Sequence, residues 1–370
     1  MRIIITGGHH SSALPVIAKL KEKNPEVQIF WIGHKFSMKG DKNPTLEFRE
    51  ITSLGIPFFD LKAGKVYKTF DLGRLMKVPL GVIQSFYYIN KTKPDVILSF
   101  GGYLAAPVVL AGWFLGVPSV THEQTVVAGY ANRFISHFVR KILISWKESA
   151  KYFPAKKVIY VGIPLRNEIF QIKSNSFVAD NGFPTVYISA GKTGSHIINE
   201  IVKRSLESLL RFCNVIHQSG DHSFFNDYEL IENEYKKVKP KVKGKLFLRK
   251  FVFEDEIGEA LNRSNIVVAR SGAHTIAEIL ALNKPCILIP IPWVSHNEQN
   301  ENARMLKSYG LAEILDQNNL TPDALVNQVK NSLNNLSKYN LKDKSSLGFL
   351  EIKPAELIAN EVINISKEKK

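Results

Sequence analysis

Short runs of β-branched and apolar residues alternate with longer amphipathic stretches along almost the whole chain. In the first half, the runs that predict strands are residues 2–6, 27–32, 96–100, 119–121, 142–145 and 158–161. In the second half they are residues 185–189, 214–217, 246–248, 266–269 and 286–289. Strand–helix alternation of this kind predicts an α/β fold with parallel sheets covered by helices on both faces.

The series restarts near Pro184, after an irregular stretch at residues 172–182. A chain of 370 residues is long for one domain and suits two. We expect doubly wound domains over residues 1–163 and 164–351, with a basic helix within 352–370 packing back on the first. Binding is expected where the carboxyl ends of the strands in the two domains face each other across a cleft.

Composition narrows the class of protein. With 45% hydrophobic and 22% charged residues, the chain is globular rather than disordered. Two cysteines cannot build a disulfide framework and suit a reducing cytosol, and the first residues contain too short an apolar run for a signal peptide. The uncharged run at 96–121 is broken by glycines and prolines, so it predicts strand, turn and helix rather than a membrane span.

The positive charge is concentrated in the first half. Residues 1–165 contain 22 Lys and Arg against 10 Asp and Glu, whereas residues 166–370 contain 27 against 24. Such a surface favours an anionic partner: nucleic acid, a phosphorylated substrate or an acidic membrane face. A merely solubilising positive surface is the alternative.

Three glycine-containing loops follow predicted strands and precede predicted helices, at residues 6–9, 190–195 and 270–273. Glycine lets the backbone approach a ligand closely, and a helix N-terminus favours negative charge. The second loop lacks the first glycine of a P-loop because Tyr187 stands there, which argues against a Walker ATPase. No Asp-x-Asp pair and no zinc-type histidine spacing occur, so helix dipoles, Arg166 and Lys192 would stabilise a diphosphate.

Several motifs stand in one order along the chain: Thr-Gly-Gly-His at 6–9, Ser-Phe-Gly-Gly-Tyr-Leu-Ala-Ala-Pro at 99–107 and His-Glu-Gln at 122–124. Val-Gly-Ile-Pro-Leu-Arg follows at 161–166, and Arg-Ser-Gly-Ala-His-Thr-Ile-Ala-Glu at 270–278. In these motifs the chain resembles the MurG-type N-acetylglucosaminyltransferases, which convert lipid I to lipid II in peptidoglycan synthesis. The resemblance implies a glycosyltransferase B fold of two Rossmann-like domains. It also implies inverting transfer of GlcNAc from UDP-GlcNAc to the muramyl 4-hydroxyl of undecaprenyl-diphosphate-linked MurNAc-peptide.

By the same resemblance, the second domain binds the UDP-sugar donor. Glu278 would hold the ribose hydroxyls, Gln299 would face the sugar, and Arg166 would add positive charge as UDP departs. The implied donor site consists of Arg166, Gly191, Lys192, Thr193, Gly194, Phe251, Val252, Ser271, Gly272, Ala273, His274, Thr275, Glu278 and Gln299. Within this set, Phe251 and Val252 would hold uracil, partly through main-chain atoms.

The first domain would bind the acceptor, lipid I. His9 is the candidate base, because a neutral imidazole titrates near the working pH, and the adjacent His10 is its rival. The implied acceptor site consists of Gly7, Gly8, His10, Gly101, Gly102, Tyr103, Glu123, Gln124 and Thr125.

An acceptor in the inner leaflet explains the basic first half better than nucleic acid does. We expect a peripheral protein on the anionic cytoplasmic face of the cell membrane, with UDP-GlcNAc and lipid I as substrates and no nucleic acid as partner. Other cell-wall synthesis proteins are further expected partners, and the expected processes are cell-wall biogenesis, cell shape, cell division and the cell cycle. The implied membrane-docking residues are Lys68, Arg74, Leu75, Lys77, Trp113, Arg140 and Lys141, and the alternative is that the apolar ones are core. No cofactor and no essential metal are expected.

The motifs depart from the family pattern in several places. The first glycine loop is shorter than the Gly-Gly-x-Gly-Gly-His run of the family, Thr125 and Ile163 each replace an asparagine, and Lys192 replaces a serine within a changed second loop. These departures lie at positions expected to contact substrate, so they bear on the identity of the donor and the acceptor more than on the fold. The alternatives are a related glycosyltransferase with another UDP-sugar or lipid acceptor, a UDP-GlcNAc 2-epimerase, and a non-catalytic binder of UDP-sugar or nucleic acid.

Overall fold

A computed structural model describes residues 1–36, 44–63, 77–191, 194–222, 224–294, 297–341 and 353–368, the side chains of 77 and 78 excepted. The chain forms two compact units. Unit 1 comprises Met1–Pro164 with Ile352–Lys370, and unit 2 comprises Leu165–Glu351. Sequence reasoning placed the boundary between residues 163 and 164.

The described part of unit 1 contains a seven-stranded parallel sheet in the order β3-β2-β1-β4-β5-β6-β7. Its strands are β1 Arg2–Thr6, β2 Gln28–Gly33, β3 Phe58–Asp60, β4 Val96–Ser99, β5 Ser119–Glu123, β6 Lys141–Ile144 and β7 Val158–Tyr160. Its helices are α1 His10–Lys23, α2 Leu46–Ser53, α3 Lys77–Thr92, α4 Ala105–Phe114 and α5 Tyr130–Ile135. The strand order reverses between β1 and β4, and in doubly wound sheets ligands bind at such a switch point.

The last helix of the chain belongs to this unit. Ile358, Val362 and Ile365 of Pro354–Glu368 are buried in one core with Ile3 and Leu20. Burial of such aliphatic side chains stabilises the fold by roughly 1.5–3 kcal/mol each. The C-terminal segment is therefore part of the core of unit 1.

The described part of unit 2 contains a six-stranded parallel sheet in the order β10-β9-β8-β11-β12-β13. Its strands are β8 Thr185–Ser189, β9 Asn214–Gln218, β10 Leu246–Arg249, β11 Ile266–Ala269, β12 Cys286–Leu288 and β13 Ala312–Ile314. Its helices are α6 His196–Leu210, α7 Asp227–Val238, α8 Glu254–Arg263, α9 Ala273–Ala281, α10 Glu298–Ser308 and α11 Pro322–Asn334; the last helix of the chain, in unit 1, is α12 Pro354–Glu368. The switch point lies between β8 and β11, where the second and third glycine loops begin.

The structure adds two strands that the sequence did not predict, β3 and β13, which have three residues each. It also extends β5 by two residues, because His122 and Glu123 pair with Leu143 and Ile144 of β6. Both residues are consequently buried in the sheet.

The uncharged run at 96–121 folds as β4, a turn, α4 and the start of β5, as predicted. Over the described ranges, we find no helix with the length and apolar character needed to cross a bilayer.

Candidate functional site

The backbone of the first glycine loop, at residues 6–9, contacts the backbone of the glycine pair at 101–102 at the switch point of unit 1. Gly7 has a φ of +132°, and a Cβ there would lie 2.8 Å from the carbonyl oxygen of Gly101. The amide of Gly8 donates to that same oxygen at 3.2 Å. Gly102 has a φ of +79°, and its Cβ would lie 3.3 Å from the Gly8 nitrogen. The four predicted acceptor-site glycines therefore lie together, and at Gly7, Gly101 and Gly102 the positive φ favours glycine.

The two adjacent histidines have different surroundings. His10 begins α1 and is half-buried, with its Nε2 2.8 Å from Oε2 of Glu50. His9 precedes the helix and its side chain is exposed. Desolvation and, second, the neighbouring His10 lower the pKa of His9 below its usual value. His9 is therefore neutral at pH 7 and can accept a proton.

Tyr103 follows the glycine pair at 101–102, and its ring contacts the ring of His34 at 5.6 Å. Desolvation and the charge of Glu47 raise the pKa of the Tyr103 phenol. The hydroxyl therefore stays protonated at neutral pH and can donate a hydrogen bond to a ligand.

Glu123 is 4% exposed, and its carboxylate is fully used inside unit 1. It accepts hydrogen bonds from Thr125 N at 3.0 Å, Thr125 Oγ1 at 2.8 Å, Gly129 N at 3.3 Å and Asn132 Nδ2 at 2.8 Å. Burial raises its pKa, and these hydrogen bonds oppose the rise. Glu123 and Thr125, predicted to contact the acceptor, thus fix the loop that leads from β5 to α5.

The neighbouring Gln124 behaves differently. It is 1% exposed, and within the described ranges neither its amide oxygen nor its amide nitrogen has a hydrogen-bond partner. Its main-chain oxygen accepts from Trp146 Nε1 at 2.8 Å, which fixes the backbone. A buried amide without partners costs stability, and it offers one donor group and one acceptor to a ligand.

Glu47 is an acid of unit 1 whose pKa lies near neutral pH. Its Oε1 accepts from Trp31 Nε1 at 2.6 Å, and burial raises its pKa from 4.5 to about 7, although that hydrogen bond opposes the rise. The folded unit therefore holds this proton more tightly than the unfolded chain does. The stability contributed by protonated Glu47 is complete below pH 4.5 and is lost as the pH rises towards 7.

The variant Glu47→Gln keeps an acceptor for Trp31 and removes this titration. Between pH 4.5 and 7.5, we expect the free energy of unfolding of the wild type to fall relative to that of the variant. The relative fall should be on the order of 2 kcal/mol after discounting partial exposure. Urea unfolding at several pH values measures it, and parallel pH profiles for the two proteins would contradict the assignment.

The second glycine loop lies at the end of β8 in unit 2. Gly191 and Gly194 have φ values of +83° and +73°, and a Cβ on Gly194 would collide with the carbonyl of Ser219. Gln218 holds the turn by donating from Nε2 to the carbonyl oxygen of Gly191 at 2.7 Å. Lys192 and Thr193 lie outside the described residues.

The side chain of Gln218 also accepts a hydrogen bond from a main-chain amide of the predicted uracil site. Val252 N donates to Oε1 of Gln218 at 2.9 Å, so this amide is already paired. Phe251 is partly exposed beside it. A base could use the Phe251 ring and the remaining main-chain groups, whereas a bond to the Val252 amide would displace Gln218.

The third glycine loop leads into α9, whose cap is Gly272. Ala273, His274 and Thr275 form the first turn, where amides have no carbonyl within the helix and can bind an anion. Ser271 Oγ donates to the carbonyl oxygen of Gln299 at 2.7 Å. The Gln299 Oε1 in turn accepts from Ile291 N at 3.0 Å, so its amide oxygen faces the main chain.

Arg270 is a site residue that sequence reasoning missed. Its buried guanidinium donates from Nη2 to Ser195 Oγ at 2.8 Å and from Nη1 to the carbonyl oxygen of Ile289 at 2.9 Å. Desolvation lowers its pKa to about 10, so it remains charged at pH 7. Since Ser195 caps α6, Arg270 ties the second glycine loop to the third. The signal in the sequence was a lone cation between a buried strand and a glycine.

Arg166 and Glu278, both predicted donor-site residues, contact each other. Arg166 donates to Oε1 of Glu278 from Nη2 at 3.2 Å and from Nε at 3.3 Å. The pair is partly exposed, with 33% of the Arg166 side chain and 14% of the Glu278 side chain accessible. The cation expected at the diphosphate thus pairs here with the carboxylate expected at the ribose.

One group of side chains among the described residues has a spacing that a metal ion could use: His196, Glu200 and Asp227. His196 Nδ1 and Asp227 Oδ1 already contact each other at 2.8 Å. Asp227 Oδ2 also accepts from Asn199 Nδ2 at 2.7 Å. These contacts account for the cluster as a link between α6 and α7.

An aromatic cluster covers part of the surface of unit 1. Ring contacts of 4.9–6.2 Å connect Phe86, Trp113, Phe114, Phe134 and Phe138 of this cluster. Trp113, Phe114 and Phe134 are exposed, so Trp113 is not a core residue. Arg140 is exposed and Lys141 is half-buried. Lys68, Arg74, Leu75 and the side chain of Lys77 lie outside the described part of the chain.

Two doubly wound parallel sheets, each with glycine loops at its switch point, define the B-type fold of glycosyltransferases. Sequence models of glycosyltransferase family 28 match this chain, the N-terminal domain at residues 3–144 and the C-terminal domain at 185–362. The chain belongs to family 28 and, within it, to the MurG-type N-acetylglucosaminyltransferases.

Two curated relatives carry the name UDP-N-acetylglucosamine–N-acetylmuramyl-(pentapeptide) pyrophosphoryl-undecaprenol N-acetylglucosamine transferase. The one from Pediococcus pentosaceus is 34% identical over 341 residues, covering 88% of this chain and 89% of the relative. One from Bacillus thuringiensis, numbered 2, is 32% identical over 381 residues, covering 98% and 99%.

Solved structures share the fold. MurG of Acinetobacter baumannii superposes with a TM-score of 0.71 at 21% identity, covering 98% of this chain and 99% of that one. UDP-GlcNAc 2-epimerase of Neisseria meningitidis gives 0.62 at 13% identity, with 100% of both chains covered. At such identities these likenesses concern the fold alone.

Proposed function

We propose that this enzyme transfers GlcNAc from UDP-GlcNAc to the muramyl 4-hydroxyl of lipid I, giving lipid II for peptidoglycan synthesis. The observation that carries the proposal is the identity of more than 30% to transferases of that name, over nearly the whole chain. The glycine loops of both units lie at switch points where such substrates bind. A family 28 fold alone would leave the sugar and the acceptor open.

In unit 1, His9 acts as the base. Its neutral imidazole removes the proton of the muramyl 4-hydroxyl, and the resulting oxygen attacks the anomeric carbon of GlcNAc on the face opposite UDP. The new glycosidic bond forms as the bond to the β-phosphate breaks, so the configuration inverts. The Tyr103 hydroxyl and the buried side-chain amide of Gln124 orient the acceptor through hydrogen bonds.

In unit 2, positive charge and helix amides receive the departing UDP. The first turn of α9 binds the diphosphate, and Arg166 and the buried Arg270 provide cationic charge near it. Glu278 accepts hydrogen bonds from the ribose hydroxyls, and Phe251 lies along the base. These groups supply the charge stabilisation that a divalent cation provides in other sugar transferases, so we propose that no metal is required.

The aromatic cluster of unit 1 docks on the anionic cytoplasmic membrane face, where lipid I is anchored. Exposed aromatic rings suit the headgroup region, and nearby basic residues attract anionic lipid at about 1 kcal/mol each. Lys157 supports this arrangement, because it donates to the carbonyls of Ser136 and His137 beside Phe138. Desolvation and the charge of Arg140 lower the Lys157 pKa, which places Arg140 on the same side.

A vesicle experiment tests the docking. We expect Trp113→Ala with Phe114→Ala to weaken binding to phosphatidylglycerol vesicles about tenfold or more, because two exposed rings are lost. The matched control is Phe224→Ala, an exposed aromatic residue of unit 2, which should bind as the wild type does. Equal binding by the double variant would locate the membrane contact elsewhere.

Transfer of labelled sugar from UDP-GlcNAc to a lipid I analogue, with EDTA present, tests the function. We expect acceptor-dependent GlcNAc transfer at an undiminished rate, because charged side chains and helix N-termini replace the metal. UDP-glucose and omission of the acceptor are the controls. A rate that falls with EDTA and returns with Mg²⁺ would contradict metal independence.

The same reaction separates the alternatives. Acceptor-independent conversion of UDP-GlcNAc to UDP-ManNAc would favour an epimerase, which shares the fold. UDP binding without transfer would favour another acceptor or a non-catalytic binder. The acceptor-side features, namely the glycine pair at 101–102, Tyr103 and Gln124, favour the transferase.

A further inference from the structure

The carboxylate expected to recognise ribose is already hydrogen-bonded in this structure. Arg166 reaches Oε1 of Glu278 with both Nε and Nη2, at 3.3 and 3.2 Å. A carboxylate that receives two charge-assisted hydrogen bonds is a poorer acceptor for an incoming diol, because these bonds must weaken before the ribose binds.

The alternative partner of Arg166 would be the diphosphate itself. Glu278 lies six residues beyond Gly272, the cap of α9. At 1.5 Å per residue, the carboxylate is about 9 Å along the axis from the helix N-terminus. The proposed diphosphate position is that N-terminus, and phosphate accepts the planar fork of Arg166 as well as a carboxylate does.

We propose that Arg166 makes ribose recognition depend on the diphosphate, and so determines specificity for nucleoside diphosphates over nucleosides. A ligand with a diphosphate draws Arg166 away and so relieves the competition between Arg166 and the ribose for Oε1 of Glu278. A ligand without phosphate must displace Arg166 from Glu278 with nothing to receive the guanidinium. This inference rests on the proposed donor site of unit 2.

The consequence is an opposite effect of one substitution on two ligands. Arg166→Met removes the two hydrogen bonds that compete with the ribose at Oε1 of Glu278, so uridine binds about threefold more tightly, the size expected for a partly exposed ion pair. The same variant loses a charge-assisted bond to phosphate, so UDP binds about tenfold more weakly or worse. Arg166→Lys keeps the charge but not the fork, and its affinities should fall between those of the wild type and Arg166→Met.

The experiment measures the dissociation constants of uridine and UDP for the full chain, by calorimetry for UDP and by competition for uridine. The control is Arg263→Met, which breaks the ion pair between Arg263 and Glu259. The Arg263 side chain is 35% exposed, close to the 33% of Arg166. Because Arg263 ends α8, at the edge of the sheet away from the glycine loops, both affinities should be unchanged. Circular dichroism checks that each variant is folded.

If Arg166→Met changes the dissociation constants of uridine and UDP in the same direction, or leaves that of uridine unchanged, the inference is wrong. The proposed donor site would still stand in that case, provided that the wild type binds UDP. A wild type that binds UDP no better than uridine would instead refute the proposed donor site, and the inference with it.

Discussion

Replacing His9 with alanine should lower the turnover number for GlcNAc transfer to lipid I by about 100-fold or more, the usual contribution of a general base. His9 follows the glycine pair at 7–8 at the switch point of unit 1, is exposed, and is neutral at pH 7. UDP affinity should be unchanged, because the donor residues belong to unit 2. Steady-state kinetics and calorimetry with UDP measure the two effects separately.

His10→Ala is the matched control, since it removes the same group one residue away. The His10 imidazole lies 2.8 Å from the Glu50 carboxylate, so its loss should affect packing of α1 against α2 more than the chemistry. We expect a decrease in turnover of less than tenfold. If His10→Ala is the slower variant, or if His9→Ala keeps its turnover with intact UDP binding, the base is not His9.

Residues whose role is local in the sequence could be predicted from it. Gly7 and Gly194 need positive φ and close backbone contact, and a glycine after a buried strand indicates such a turn. The strands at 2–6, 185–189 and 266–269 have the predicted bounds, because buried parallel strands consist of apolar residues without interruption. The resemblance to the MurG family likewise depends on local motifs, and the family comparison confirms it.

Residues whose role depends on distant partners could not be predicted in this way. Arg270 contacts Ser195 and Ile289, which are 75 and 19 residues away, and the pairing of these loops exists only in the folded sheet. Gln299 was expected to face the sugar, yet its amide oxygen bonds to the main chain of Ile291. Sequence motifs identify the residues of a site, whereas strand register and loop packing decide which atoms remain for the ligand.

The carboxylate of Glu123 is a second group whose partners differ from those that the motif implies. The motif implies an acceptor contact, but extension of β5 by two residues buries this carboxylate. It accepts four hydrogen bonds from the following loop and from Asn132 of α5. Removing it leaves the amides of Thr125 and Gly129 and the side chain of Asn132 without their acceptor. Each buried group left unpaired costs about 1–3 kcal/mol.

We therefore expect Glu123→Ala to lower the free energy of unfolding of unit 1 by about 3 kcal/mol, and its Tm by about 6–12 °C. Tryptophan fluorescence reports this unit, because Trp31, Trp113 and Trp146 lie in it and of the four tryptophans only Trp293 lies in unit 2. Transfer to lipid I should fall with the loss of the ordered loop, whereas UDP affinity should not change. The control Glu26→Ala removes an exposed acid of the same unit and should leave the Tm within about 1 °C.

A Glu123→Ala protein with wild-type Tm and a raised KM for lipid I alone would contradict this structural role and show that Glu123 contacts the acceptor directly. That result would require the loop of residues 125–132 to be held by its remaining bonds, such as that from Arg133 Nε to the carbonyl oxygen of Ala128 at 3.0 Å.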